Sequence, residues 1–289
     1  MQQEVEKLAE FEIIGVLGYG ANTTIYSARD PKNDGRVCAI KRVVLNDPSE
    51  QRFVDQVQNE FKIAKLIGHP ILRQVYELRK IRKLLTVKEV LLVMELVEGK
   101  NLVRQRPNSM ADLVRVFIDT AAALDAMHRA GYLHADMKPN NILVTPEGKT
   151  KVIDYGQSCH IGTVKNRIQG TPDYIAPEQV KRRKLTPETD VYNLGASLYW
   201  CLTDTHIPTL IPKDPTKTKF RIRNINLEEE LIAPNELVPS IPAPLNNLII
   251  QCLRTRPDER PGSMGDVKTR LEVIAALLDR NGQSASDRD

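Results

Sequence analysis

The stretch Tyr132-Leu133-His134-Ala135-Asp136-Met137-Lys138-Pro139-Asn140-Asn141-Ile142-Leu143-Val144 decides how this chain is read. It places an acid, a cation and an amide in one loop that runs directly into an apolar strand. Downstream, Ile153-Asp154-Tyr155-Gly156 ends a second apolar run with an acid and a glycine. A lone Asp-x-Gly is an ordinary turn, and Asn-Asn is ordinary loop polarity. Their order and spacing together point beyond turns, to a site built from carboxylates, a lysine and an amide.

Toward the N-terminus the chain reads largely as strands. Phe11–Leu17 and Thr24–Ala28 flank a glycine turn, Gly18-Tyr19-Gly20. That turn is either a plain hairpin or a place where backbone amides approach phosphate oxygens. Val37–Val44 is apolar and β-branched between turn signals, and it carries Lys41 in its interior. A lysine in a strand ordinarily points to solvent. These apolar neighbours favour an inward charge, with Glu60 on the following helix as candidate partner. That helix, residues 50–67, shows Phe53, Val57, Phe61 and Ala64 on one face. Leu72–Tyr76 and Val90–Val97 read as further strands.

After Glu98-Gly99 the pattern turns helical. Leu113, Phe117, Ala121, Leu124 and Met127 define a helix that stops at Gly131. Asp190–Thr203 and Leu245–Leu253 read as apolar helices and Met264–Leu278 as an amphipathic one. Ile232–Leu245, rich in proline, reads as a loop, and Asn281–Asp289 as a frayed polar tail. The expected class is α+β: a small strand-rich lobe with one main helix, a short link near Glu95–Lys100, and a larger, mainly helical lobe.

Composition narrows the classes. With 41% hydrophobic and 27% charged residues, the chain has the make-up of a folded globular protein, so wholesale disorder is excluded. The net charge of +4 is mild. Basic runs at Arg79–Lys83 and Lys181–Lys184 are either solvated faces or contacts for an acidic partner or membrane surface. No aromatic residues interleave them, so no nucleic acid is expected. Cys38, Cys159, Cys201 and Cys252 lack Cys-x-x-Cys spacing, which argues against zinc and disulfide frameworks and fits a reducing compartment. Met1–Glu10 lacks the apolar core of a signal peptide and no run approaches a membrane span, so a cytoplasmic location is expected.

Taken together, these residues resemble the protein-kinase family over most of residues 10–278, a two-lobed fold. The glycine-rich loop reads Gly18-Tyr19-Gly20-Ala21-Asn22-Thr23-Thr24-Ile25, followed by a strand lysine, Lys41, and a helix glutamate, Glu60. His134-Ala135-Asp136 with Asn141, Asp154-Tyr155-Gly156 and Ala176-Pro177-Glu178 complete the series. The resemblance implies residues 1–97 as N-lobe with an N-terminal extension, 98–278 as C-lobe and 279–289 as a tail. It also implies Asp190 at the start of a central buried helix, and an Arg260–Glu178 pair. Lys138 and Gly170-Thr171-Pro172-Asp173-Tyr174 resemble the serine/threonine branch, and Gln179 resembles bacterial members.

The resemblance further implies ATP with magnesium or manganese as cofactors, and protein substrates bearing serine or threonine. Lys41, positioned by Glu60, would hold the α- and β-phosphates. Asp154 and Asn141 would hold the metal. Asp136 would accept the substrate hydroxyl's proton, and Lys138 would steady the γ-phosphate. Leu17, Gly18, Gly20, Ile25, Ala39, Met94, Glu95, Val97 and Leu143 would surround the nucleotide. Met94 would guard the back of the adenine pocket, and Glu95 and Val97 would offer backbone groups to the base.

Three positions depart from the family pattern. Thr23 replaces a glycine, and a β-branched residue resists positive φ, which implies a stiffer or a weaker lid. Tyr155 replaces phenylalanine and adds a hydroxyl that needs a partner if buried. Ala135 replaces an arginine that pairs with phosphate on the segment Asp154–Glu178, where Ser158, Thr163 and Thr171 are available acceptors. The competing readings are a pseudokinase that binds nucleotide or partners, favoured slightly by Thr23 and Ala135, and a small-molecule kinase. Intact Lys41, Glu60, Asp136, Asn141 and Asp154 oppose the first; Gly170-Thr171-Pro172, Ala176-Pro177-Glu178 and Arg260 oppose the second.

Overall fold

The structure, a computed structural model, describes residues 7–20, 22–83, 86–212, 223 and 225–286. Residues 1–6, 21 and 287–289, on which parts of the readings of the N-terminus, glycine turn and tail fall, lie outside the described residues. The chain forms two units, one of residues 1–98 with 154–156 and the other of residues 99–153 with 157–289.

In the first unit the elements are Lys7–Leu8 (β1), Phe11–Gly20 (β2), Thr23–Asp30 (β3), Arg36–Val44 (β4), the helix Gln51–Leu66 (α1), Val75–Lys83 (β5) and Thr86–Glu95 (β6). The strands pair antiparallel in the order β1-β2-β3-β4-β6-β5. Both faces of the sheet are covered, which is why β4 and β6 read as continuous apolar runs. Cys38 and Ile40 join Phe11, Leu91 and Val93 on one face. Ala39 and Val43 join Val54, Val57, Leu92 and Met94 on the other. The two-residue period of a strand therefore puts Lys41 on the α1 side, with Ala39 and Val43.

Several boundaries differ from the sequence reading. Gly18-Tyr19-Gly20 is not a turn: these residues pair with Ile25, Thr24 and Thr23 as part of β2. Among the described residues of that hairpin, Asn22 is left-handed at φ 54°, a type that tolerates this conformation. Thr23 is an extended strand residue opposite Val43, where β-branching is favourable, so the argument from positive φ does not apply to it. The strand expected at Leu72–Tyr76 begins at Val75 and continues through the basic run Arg79–Lys83, which pairs with β6. On α1 the buried line is Val54, Val57, Glu60 and Ile63, with Phe53, Phe61 and Ala64 flanking it half-buried.

The second unit contains Lys100–Asn101 (β7), Met110–Arg129 (α2), Tyr132–Leu133 (β8), Ile142–Val144 (β9), Thr150–Val152 (β10), Cys159–His160 (β11), Pro177–Val180 (α3), Pro187–Thr203 (α4), Leu227–Glu230 (α5), Pro234–Leu237 (α6), Ala243–Cys252 (α7) and Met264–Ser286 (α8). Ser109 caps α2 by accepting the Asp112 N–H, and Gly131 follows its end at φ 84°. The helix α4 is buried on every side from Thr189 to Tyr199, as expected of a helix without a polar face. Short sheets clamp the 134–141 loop at both ends: β8 pairs with β11, and β9 lies between β7 and β10. Gly99 allows the close approach there, since a Cβ would meet Val144 O at 2.8 Å.

Two expectations fail in this unit. The proline-rich stretch Ile232–Leu245 contains α6 and the start of α7, because proline is accepted in a first helical turn. The expected frayed tail instead continues α8 as far as Ser286. Among the described residues, no helix is long and apolar enough to cross a membrane.

Candidate active site

In the first unit Glu60 is fully buried and accepts from two cations, Lys41 Nζ at 2.8 Å and Arg73 Nη2 at 2.8 Å. Lys41 also donates to Asp154 Oδ1 at 3.3 Å. Burial alone would lower the Lys41 pKa, but the Asp154 and Glu60 carboxylates outweigh it and hold the ammonium well above its ordinary value. Two cations and two anions thus form a balanced set. Glu60, Lys41 and Arg73 are its largely buried part and Asp154 its half-exposed edge; such a set contributes little net stability, and its worth lies in fixing where the Lys41 ammonium sits.

Asp154–Gly156 is bound to this unit by its backbone and by Tyr155. Asn59 Nδ2 donates to the carbonyls of Tyr155 and Gly156 at 3.4 and 3.3 Å. Tyr155 is fully buried, and its hydroxyl donates to Arg73 O at 3.4 Å, which supplies the partner that a buried hydroxyl needs. Burial pushes its pKa up, so it remains a donor. Asp154 itself sits at φ 67°, a strained backbone for a non-glycine residue. Arg73 was not singled out from the sequence. Its signal is an arginine within the stretch read as a strand, Leu72–Tyr76, and it is 7% exposed.

The second unit assembles Asp136, Lys138, Asn141 and Thr171. Lys138 Nζ donates to Asp136 Oδ2 at 2.9 Å and to Thr171 Oγ1 at 2.7 Å. The Thr171 hydroxyl donates in turn to Asp136 Oδ1 at 2.9 Å, closing a triangle around the carboxylate. Asn141 Nδ2 donates to Asp136 O at 3.0 Å. The amide of Ile153, the residue preceding Asp154, donates to Asn141 O at 2.9 Å.

Asp190, fully buried near the start of α4, holds this loop from below. It accepts the N–H groups of His134 and Ala135 at 2.8 Å each, and His128 Nε2 lies 2.8 Å from its Oδ2. Burial alone would raise the Asp190 pKa, but His128, His134 and the Ala135 N–H hold the carboxyl below its ordinary value. Ala135 is left-handed, at φ 61°, and is held there from two sides. The second hold is Gln179, whose Nε2 donates to Ala135 O at 2.8 Å and to Gln169 O at 3.2 Å. Its Oε1 accepts from Ala176 N at 2.9 Å and Asn193 Nδ2 at 3.0 Å. Asp190 and Gln179 are marked by the resemblance, but their convergence on Ala135 is not legible from residue spacing.

The remaining candidates fall as follows. Arg260 pairs with Glu178 through two hydrogen bonds of 2.8 and 3.0 Å, both side chains buried. In the first unit Ala39 pairs with Met94, both buried; Leu17 is exposed; and Gly18 has no atom within 4 Å of where a Cβ would stand. A Cβ at Gly20 would meet Thr23 Oγ1 at 2.5 Å, so Thr23 fills space there. Ile25 lies opposite Lys41, and the Glu95 N–H is engaged by Gln74 O at 2.9 Å. Val97 follows β6, half-buried, and Leu143 lies in β9 of the second unit. Ser158 is buried, with its hydroxyl 3.5 Å from His134 O.

Residues 11–270 match the protein kinase domain family. A probable serine/threonine-protein kinase of Streptomyces coelicolor is 28% identical, covering 91% of this chain and 39% of that protein. The serine/threonine-protein kinase PknB of Mycolicibacterium smegmatis is 26% identical, covering 90% and 42%. Sperm motility kinase 2A of Mus musculus is 28% identical, covering 88% and 48%. The chain spans less than half the length of each of these relatives. The chain belongs to the protein kinase family.

Proposed function

We propose that this chain transfers the γ-phosphoryl group of ATP to serine and threonine hydroxyls of protein substrates, with residues 10–278 as one kinase domain. The observation that carries the reading is the Asp136 carboxylate, oriented by Lys138 and Thr171 on the same loop as Asn141. Phosphoryl transfer needs placement and charge neutralisation more than covalent help from the protein. Asp136 accepts the hydroxyl proton as the oxygen bonds to the γ-phosphorus and the bond to the β-bridging oxygen breaks, releasing ADP. Lys138 steadies the γ-phosphate, and Lys41, held by Glu60, binds the α- and β-phosphates. Ala39, Met94 and the Glu95 carbonyl serve the adenine.

The donor set fits magnesium or manganese, hard cations that take oxygen ligands. Asp154 offers a carboxylate. Asn141, with its Nδ2 turned to Asp136 O, keeps its side-chain Oδ1 for a cation. When bound, the metal neutralises charge on the phosphate oxygens. The test is incubation with γ-labelled ATP, magnesium and a generic protein substrate. Label on serine and threonine that EDTA abolishes is the expected result. Retained ATP binding with no incorporation would favour the pseudokinase reading, which the relatives do not support.

Activity is further proposed not to require phosphate on the segment Asp154–Glu178. Ala135 has no guanidinium to receive it, Ser158 is buried, and the neutral Gln179 amide already ties the loop to Gln169. Phosphatase treatment should therefore leave turnover within about twofold. Complete loss of activity on dephosphorylation would sink this part of the proposal.

A further inference from the structure

We propose that the basic strip formed by residues 164–167 and 181–184 selects acidic protein segments, binding Asp and Glu side chains that flank the acceptor serine or threonine. The inference names a substrate class and rests on the kinase reading above. Its starting point is a run of four consecutive cations, Lys181, Arg182, Arg183 and Lys184, all exposed. The fold sets this run beside a second segment. Val164 and Lys184 form an antiparallel bridge, Leu185 N donates to Thr163 O at 2.9 Å, and Gly162 N donates to Leu185 O at 2.8 Å. Arg182 Nη1 reaches Asn166 O at 3.2 Å. Lys165 and Arg167 are thereby added to the four cations.

The strip is short of anions. Neither 161–168 nor 181–186 contains an aspartate or glutamate. Among the described residues, none of the six cations makes an ion pair. Their neutral contacts include Lys165 with Gln157 O at 2.9 Å and with the Cys159 side chain, and Arg182 with Asn166 O. An ordinary solvated face intersperses both signs, as α8 does with Lys268–Glu272 and Arg270–Asp266. The turn that presents the cations is also built in: Arg182 is left-handed at φ 49°, with its N–H on Gln179 O and the Arg183 N–H on Glu178 O. Val164, 57% exposed, adds an apolar spot at the bridge.

The strip lies within reach of the proposed transfer point. Arg167 and Thr171 are four positions apart, at most roughly 14 Å of chain, and Thr171 bonds Asp136. Lys181 follows two residues after Gln179, which bonds the Ala135 carbonyl. A substrate extended at about 3.3 Å per residue would place carboxylates on the strip from within about five residues of its acceptor. Each exposed pair contributes up to about fivefold in affinity, so two acidic residues should give roughly tenfold in kcat/KM. The preference should weaken as salt shortens the screening length below about 8 Å.

The experiment compares labelled peptides with one acceptor serine, flanked by Asp and Glu or by Asn and Gln. Binding is read by fluorescence anisotropy and turnover by phosphate incorporation, for wild type and for Arg183→Glu/Lys184→Glu. Arg183→Lys serves as the charge-keeping control, and melting temperatures confirm folding. The expected result is tighter binding of the acidic peptide by wild type and Arg183→Lys, reversed in the double variant. Equal binding of both peptides at low salt overturns the proposal, as does an acidic preference that survives charge reversal. Competition by RNA or anionic vesicles without binding of the acidic peptide overturns it too. Binding decides the docking proposal and incorporation decides the kinase reading, so the two can fail separately.

Discussion

Replacing Asp136 by asparagine should lower kcat by roughly 100- to 10,000-fold, the range expected for loss of a positioned general base. The change removes the charge while keeping the shape, so Thr171 can still donate to the remaining carbonyl oxygen. Lys138 loses its anionic partner but keeps Thr171 Oγ1 at 2.7 Å. KM for ATP should therefore move little, because Lys41, Glu60 and Asp154 form their own connected set. Melting temperature should also hold, since the Asp136 side chain is not what buries the loop; Asp190 does that through the backbone. A split with kcat reduced and KM retained marks an interaction made in the transition state. Unchanged turnover in the variant would remove Asp136 from the proposed mechanism.

The largest stability effect is expected at Arg260. Its side chain is fully buried, as is nearly all of Glu178. Substituting methionine leaves the Glu178 carboxylate without its cation and also frees the carbonyls of Arg254, Glu188 and Thr255. Breaking a buried pair from one side costs about 3–5 kcal/mol. For a unit of this size that corresponds to roughly 6–20 °C in melting temperature. Adding Glu178→Leu removes the stranded charge and should recover part of the loss, though not the part due to the three carbonyls. A single variant that melts within about 2 °C of wild type would show that the pair is not structurally required.

The chemistry of this chain was more legible than its architecture. Lys41 could be placed because its strand is apolar on both faces, so a lone cation there has to meet an anion. Asp136, Lys138 and Asn141 could be grouped because they share one loop. Arg73 escaped notice because its partner, Glu60, already appeared to be matched with Lys41. Gln179, Asn193 and His128 are ordinary polar residues in sequence, and only the packing of α4 brings them to the loop. The glycines at Gly18 and Gly20 were misread as a turn because a strand that tolerates glycine looks like a break in the pattern. Fold boundaries moved for similar reasons: charge alternation hid most of β5, and proline masked the helix starts at α6 and α7.

The shared carboxylate of Glu60 has a consequence for how such a chain can change over generations. With two cations on one acid, losing Lys41 still leaves Glu60 bonded to Arg73 at 2.8 Å, so the burial of that acid remains compensated. The residue proposed to hold the phosphates is thus not what alone keeps the buried acid compensated. A lineage could silence its chemistry by one substitution at Lys41 and keep an intact scaffold.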